Sequence, residues 1–253
     1  MSALSPLFLS FVIGALFFAG FVKGTAGFGI TLIVVPVLAL VITPQEAIVL
    51  NSLPVLMMNI ATAVSTAREF REIRRIRWML PIAFVCVPIG VKVLIWVDPE
   101  PVRAVIGVMI IFFIMMRFSG WKPPRFSEAG QNAFGAGMGA LIGFIFGMIM
   151  MPVAFIIFYV NTLEVKREAF VFLLNTIAAA LSIIQVSTFV WHGLYAAGAW
   201  RNSMLMLLPA LAGLYIGTRF RRRLSELIFE RLVLGLLGIA GFLLILRYGA
   251  VLF

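Results

Sequence analysis

The 253-residue chain is 63% hydrophobic and only 12% charged. A water-soluble domain runs near roughly half apolar and about a quarter charged, so lipid must be the solvent for much of this surface. Twenty Lys and Arg against ten Asp and Glu leave a net charge of +10, but the cations fall between apolar runs, where they direct topology rather than form a nucleic-acid face.

The apolar runs are continuous rather than alternating, which excludes a transmembrane β-barrel and predicts helices. Eight segments follow in chain order: 6–42, 46–66, 78–97, 101–117, 131–160, 168–191, 197–218 and 229–251. Residues 1–6 hold no Lys or Arg and the first apolar run is far too long for a cleavable signal peptide. Segment 78–97 carries Trp78 and Trp96 near its ends, and Trp191 and Trp200 flank a short connection, the spacing expected of interfacial anchors. Cys86 is the single cysteine, so no internal disulfide forms, and its apolar neighbours mark it as packing. No stretch is long enough or polar enough to be a separate soluble domain.

The two halves repeat. Leu50-Asn51-Ser52 aligns with Leu174-Asn175-Thr176, Pro81 with Pro209, Ile89-Gly90-Val91-Lys92 with Ile216-Gly217-Thr218-Arg219, and Arg103…Gly107 with Arg231…Gly235. The chain is expected to divide into a first transmembrane repeat (1–120), a cytoplasmic linker (121–130) and a second repeat (131–253).

Charge then selects an orientation. If every segment crosses once, Lys and Arg divide ten to nine between the two faces, which is no bias. If 6–42 and 131–160 each enter and leave on one side, fifteen cations share a face against four on the other. The positive-inside rule prefers the second arrangement. Segment 6–42 is too long for one span and holds Gly24, Gly27, Gly29 and Pro36, while 131–160 is interrupted by Gly139, Gly143, Gly147 and Pro152. Both are expected to be Gly/Pro-broken helical hairpins. The fold class is therefore an all-α polytopic membrane protein of two inverted repeats of four apolar segments, with both termini outside the cytoplasm.

A broken helix at membrane depth survives only where protein shields it or where it lines a wet cavity, and its free N–H groups suit an anion. Lys23 lies deep in the first segment, and an intramembrane cation is a functional candidate by default, with snorkelling as the plainer account. Gly24, Thr25, Gly27, Phe28 and Gly29 surround it in sequence. Asn51 and Asn175, with their neighbours Ser52 and Thr176, are polar and equivalent in the repeat; as intramembrane amides they serve equally as helix glue or as ligands, as does Gln185. Gly143 and Gly147 are candidates in the second broken segment, although GxxxG spacing also suits close helix packing. Lys92 and Arg219 read as snorkelling or topology signals, and His192 as interfacial. There is no paired-carboxylate, metal-ligand, nucleotide-binding or nucleophile motif, so the residues point to no enzyme, no metal and no cofactor.

Gly20-Phe21…Gly24-Thr25-Ala26-Gly27-Phe28-Gly29 followed by Pro36 resembles the first signature of the TauE/SafE family of membrane permeases. Glu46-Ala47…Asn51-Ser52 and Lys166-Arg167-Glu168-Ala169-Phe170 continue the similarity, and the two-half organisation extends it over nearly the whole chain. The resemblance implies a secondary transporter in the inner membrane, exporting sulfite or an organosulfonate. The partners expected are that small anion and the lipid bilayer, with no nucleic acid; a homo-oligomer is compatible with the sequence. A non-transporting membrane scaffold or assembly factor is the alternative, favoured by a dry break region without a cavity.

Overall fold

The computed structural model describes residues 6–27, 29–119, 128–195, 198–220 and 226–252. They form ten α-helices and two short 3-10 stretches, with no strand among the described residues. The first apolar segment divides into α1 (Pro6–Ala26) and α2 (Ile30–Ala39), and the second becomes α3 (Pro44–Ser65). Pro44 at the first position and a reciprocal Thr43–Glu46 capping box fix the start of α3. Residues Ala67–Ile76, the arginine-rich stretch between the second and third apolar runs, wind into a 3-10 stretch. There follow α4 (Met79–Trp96), α5 (Pro99–Phe118), α6 (Glu128–Ile149), α7 (Val153–Thr162), α8 (Arg167–Trp191), α9 (Ala199–Phe220) and α10 (Glu226–Tyr248). Of the expected linker 121–130, the last three residues belong to α6 and the rest lie outside the described residues, as does the arginine cluster at 221–225.

The first break falls at Gly27–Gly29 and the second at Pro152, as expected, but the other glycines and Pro36 do not interrupt their helices. Gly24 lies inside α1, Pro36 inside α2, and α6 runs unbroken through Gly139, Gly143 and Gly147. A mid-helix glycine costs about 1 kcal/mol, whereas unpaired backbone in lipid costs several, so the helix continues through glycine. Each broken segment ends instead on one left-handed residue. Gly27 (φ 87°) donates its N–H to the Lys23 carbonyl at 2.8 Å, and Met150 (φ 58°) donates to the Phe146 carbonyl at 2.9 Å. This is the same one-bond cap at both helix ends.

The glycine stripes join helices. A Cβ on Gly143 would lie 2.4 Å from the Ala83 carbonyl oxygen and one on Gly147 2.1 Å from that of Val87, so α6 packs backbone to backbone along α4. Gly20 and Gly24 meet Ala210, Leu214 and Gly217 in the same way, joining α1 to α9. The remaining main pairings are α3 with α8 and α5 with α10. In the last pair Gly107 faces Gly241 and Ile245 while Ile114 faces Gly238, so α5 and α10 run antiparallel.

Six helices, α3, α4, α5, α6, α8 and α9, are long and apolar enough to cross a bilayer, making this a multi-pass helical membrane protein. The central pair is α8 and α3, buried over 67% and 56% of their spans against 22% for α9. At ten residues each, α2 and α7 reach roughly 15 Å, half a hydrocarbon core, and neither crosses. Gln131 in the second turn of α6 donates to the Thr162 carbonyl at 3.3 Å, so the start of α6 lies beside the end of α7. Trp78, Trp96, Trp191 and Trp200 are exposed at helix ends, and the exposed Lys92 places its ammonium 4.5 Å over the Trp96 ring.

Candidate anion site at the first helix break

Lys23 occupies the last turn of α1 and is 2% exposed. Its ammonium donates to Asn59 Oδ1 of α3 at 2.5 Å and to Asn175 Oδ1 of α8 at 2.9 Å. Asn175 in turn donates through Nδ2 to the Gly27 carbonyl at 3.1 Å and the Val171 carbonyl at 2.8 Å. One amide thus ties the ammonium, the left-handed cap of α1 and helix α8 together. An ammonium has three N–H donors. Two are taken by these amides, so one remains beyond the bonds made to the described residues.

Lys23 and Asn59 border a cavity of about 40 Å³. Gly29, Ile30 and Thr31 at the start of α2 line it, with Pro152 and Val153 at the start of α7 and Val55, Phe146, Met150, Ile156, Leu174 and Ala178 around them. A water needs about 10–15 Å³ of such space, so the cavity accepts a compact solute of a few heavy atoms. Apolar walls lower the local dielectric and strengthen whatever charge sits at the polar end.

Two short helices point their positive ends here. The caps of α2 (Gly29, φ 109°) and α7 (Pro152) make no side-chain hydrogen bond, which leaves the first-turn N–H groups available. The opposite ends of the same helices are neutralised by arginine. Arg103 donates to the Ala39 carbonyl at 2.8 Å in the last turn of α2 and to the Ile42 carbonyl at 3.1 Å just beyond it, and Arg75 donates to the Leu163 carbonyl at 2.8 Å at the end of α7. With their negative ends covered, both helix dipoles present net positive charge to the cavity. A lysine donor and two helix N-termini on one small cavity are the kind of arrangement that suits an anion.

The sequence candidates divide among several places. Lys23 and Gly29 line the cavity, and Asn175 and the Gly27 carbonyl support the lysine. Thr25 returns its hydroxyl to the Phe21 and Val22 carbonyls of its own helix. Gly24, Gly143 and Gly147 face helix partners at backbone distance. Ser52 donates to the Val49 carbonyl at 2.6 Å and shares a short hydrogen bond with Tyr195, whose hydroxyl burial holds above its ordinary range against the smaller opposing effect of that bond. Asn51 donates to Met150 Sδ at 4.0 Å, and Gln185 to the Phe146 and Gly147 carbonyls at 2.8 and 3.2 Å, both at the second break. Thr176 keeps a buried hydroxyl without a partner among the described residues. Phe28 lies outside the described residues.

Asn59 was missed. Its position in the second half, at the repeat offset, is Ile183, so a search guided by repeat symmetry passes over it; the signal available was a second amide, two turns after Asn51, in a largely apolar span.

The family described as Sulfite exporter TauE/SafE matches the chain over residues 12–244, from within α1 to within α10. No individual curated protein and no solved structure matches it significantly.

Proposed function

The chain belongs to the sulfite exporter TauE/SafE family, and from that premise we propose that it is a secondary transporter exporting a small sulfur oxyanion across the inner membrane. The observation that carries the reading is the Lys23 ammonium, buried between two amide oxygens and bordering a cavity onto which α2 and α7 open their uncapped N-termini. A cavity of about 40 Å³ favours sulfite or a very short organosulfonate over a bulkier solute. The third N–H of Lys23 would donate to one oxyanion oxygen and the helix N-termini to the others. A scaffold without transport activity would need no cavity at the break, and this one has one.

The inverted-repeat arrangement belongs to the same proposal. Three observations support it: the start of α6 lies beside the end of α7, α5 runs antiparallel to α10, and the pairings α1 with α9 and α4 with α6 exchange when the halves are exchanged. In that arrangement the cavity sits between the two broken segments, where alternating access needs its substrate site.

The test is sulfite flux in proteoliposomes together with a calorimetric titration of purified protein. Lys23→Gln keeps a polar group but removes the charge. Loss of a charge-assisted hydrogen bond, about 1.5–3 kcal/mol, lowers sulfite affinity roughly 10- to 150-fold and reduces flux accordingly. Unchanged sulfite binding by Lys23→Gln protein removes Lys23 from the site.

A further inference from the structure

The chain holds four tyrosines, and two of them, Tyr159 and Tyr195, are buried. A phenol hydroxyl inside an apolar bundle needs a partner. Tyr195 shares its hydrogen bond with Ser52 of α3, and Tyr159 donates to the Arg75 carbonyl at 3.3 Å. Both bonds run from the second half of the chain to the first. Along α3, Ser52, Val55 and Asn59 fall at i, i+3 and i+7, on one helical face. Val55 and Asn59 line the cavity, so Ser52 and its tyrosine stand one turn, roughly 5 Å, from it toward the start of α3. Tyr159 stands one turn beyond the cavity-lining Ile156, toward the end of α7. Helix α8 starts just after α7 and ends just before Tyr195, with Leu174 and Ala178 on the cavity wall between, so the two tyrosines lie on opposite sides of the cavity.

Each ring has a seat of its own. Tyr195 stacks on Trp200 at a centroid separation of 4.2 Å and meets Phe189 edge-on at 6.4 Å. The end of α8 aims it inward. Gly193 is left-handed (φ 70°), its N–H returns to the Val190 carbonyl, and the Leu194 N–H returns to the Phe189 carbonyl, each at 3.0 Å, so the chain turns back over the helix end. Tyr159 lies against Phe134 of α6 at 6.3 Å, and its hydroxyl is 2.9 Å from where a Cβ on Gly135 would stand.

We propose that Tyr195 and Tyr159 are the two gates of the cavity, each shutting one side by latching one half of the chain to the other. The Ser52–Tyr195 bond breaks when the cavity opens toward the end of α8, and the Tyr159–Arg75 bond when it opens toward the 3-10 stretch after α3. One neutral hydrogen bond suits the task, because its net worth is small enough to be broken and remade in every cycle. The proposal rests on the transport reading for its purpose, since alternating access opens one side at a time, but the gates are tested without sulfite.

Val55→Cys in a Cys86→Ala background reports on the cavity, with a small charged methanethiosulfonate applied to intact cells or to inside-out vesicles. Tyr195→Phe and Ser52→Ala remove the same bond and keep the packing. Each should speed modification from the outer face about 2- to 12-fold, the range of one net hydrogen bond. The double variant should add nothing further, because the bond is already gone. Tyr159→Phe should leave the outer rate unchanged and speed modification from the cytoplasmic face by a similar factor. Unchanged outer rates in both Tyr195→Phe and Ser52→Ala overturn the proposal. So does equal acceleration from both faces by either tyrosine variant, which is what general loosening of the bundle gives. Selective acceleration without sulfite flux upholds the gates and counts against the transport reading alone.

Discussion

Lys23 could be found in the sequence because a charge in an apolar run has no cheap explanation. What the sequence could not supply was its neighbourhood. Asn59 comes from α3 and Asn175 from α8, and only the folded bundle brings them to one ammonium. Whether Asn59 positions the lysine or merely packs beside it is open to a double-mutant cycle. Asn59→Leu leaves the ammonium with one amide acceptor and should lower stability by about 1–3 kcal/mol, as for a buried charged donor deprived of a partner. Lys23→Met alone orphans two amide oxygens. The pair Lys23→Met with Asn59→Leu should be more stable than the two single losses added together, a coupling of about 1–3 kcal/mol, yet remain inactive in sulfite flux. Additive losses in melting experiments would mean that the bond between the two side chains contributes nothing.

Between residues and the whole bundle stand the two broken segments, where the sequence located both breaks, at Gly27–Gly29 and Pro152, but misread the remaining glycines. Glycine is read as a breaker, but in lipid the helix keeps its hydrogen bonds and spends the missing side chains on close contact. Gly143 and Gly147 accordingly became the seam between α6 and α4. The residue that ends α6 is Met150, whose type announces nothing. Gly147→Leu should disrupt the seam, since even its Cβ would stand 2.1 Å from the Val87 carbonyl oxygen. Overpacking of this kind costs about 1–3 kcal/mol or more and should appear as lower melting and lower yield of folded protein, with the sulfite affinity of the surviving fraction unchanged. The short helices make a different prediction. Arg75→Met and Arg103→Met each uncover carbonyls at the far ends of α7 and α2. Each should lose about 1 kcal/mol of stability, and because the helix dipole is then less one-sided, sulfite affinity should fall severalfold although neither arginine touches the cavity. Full sulfite affinity in both variants would show that the helix ends contribute little to the site.

At the scale of the molecule, the boundaries of the long helices were legible to within a few residues because each apolar run matches a span, whereas the direction of each span was not, because helices read alike in both directions. Charge broke that tie in the sequence, fifteen cations against four, and the packing supplies separate arguments. If all eight apolar segments crossed once, the 3-10 stretch after α3 and the end of α7 would lie on opposite faces. Arg75 nevertheless donates to Leu163 at 2.8 Å, and Tyr159 returns a hydrogen bond to the Arg75 carbonyl at 3.3 Å. Single crossings would also make α5 and α10 parallel, and they are antiparallel. The expected topology therefore puts the 3-10 stretch and the α9–α10 connection in the cytoplasm, with the α4–α5 and α8–α9 connections outside. Single cysteines in a Cys86→Ala background test it at four exposed positions, Arg71, Asp98, His192 and Phe220. An impermeant maleimide added to intact cells should label Asp98→Cys and His192→Cys, and should reach Arg71→Cys and Phe220→Cys only after the membrane is opened. Labelling of Arg71→Cys and Phe220→Cys from opposite faces would mean that one broken segment crosses completely, and the cavity would then no longer lie between two inverted halves.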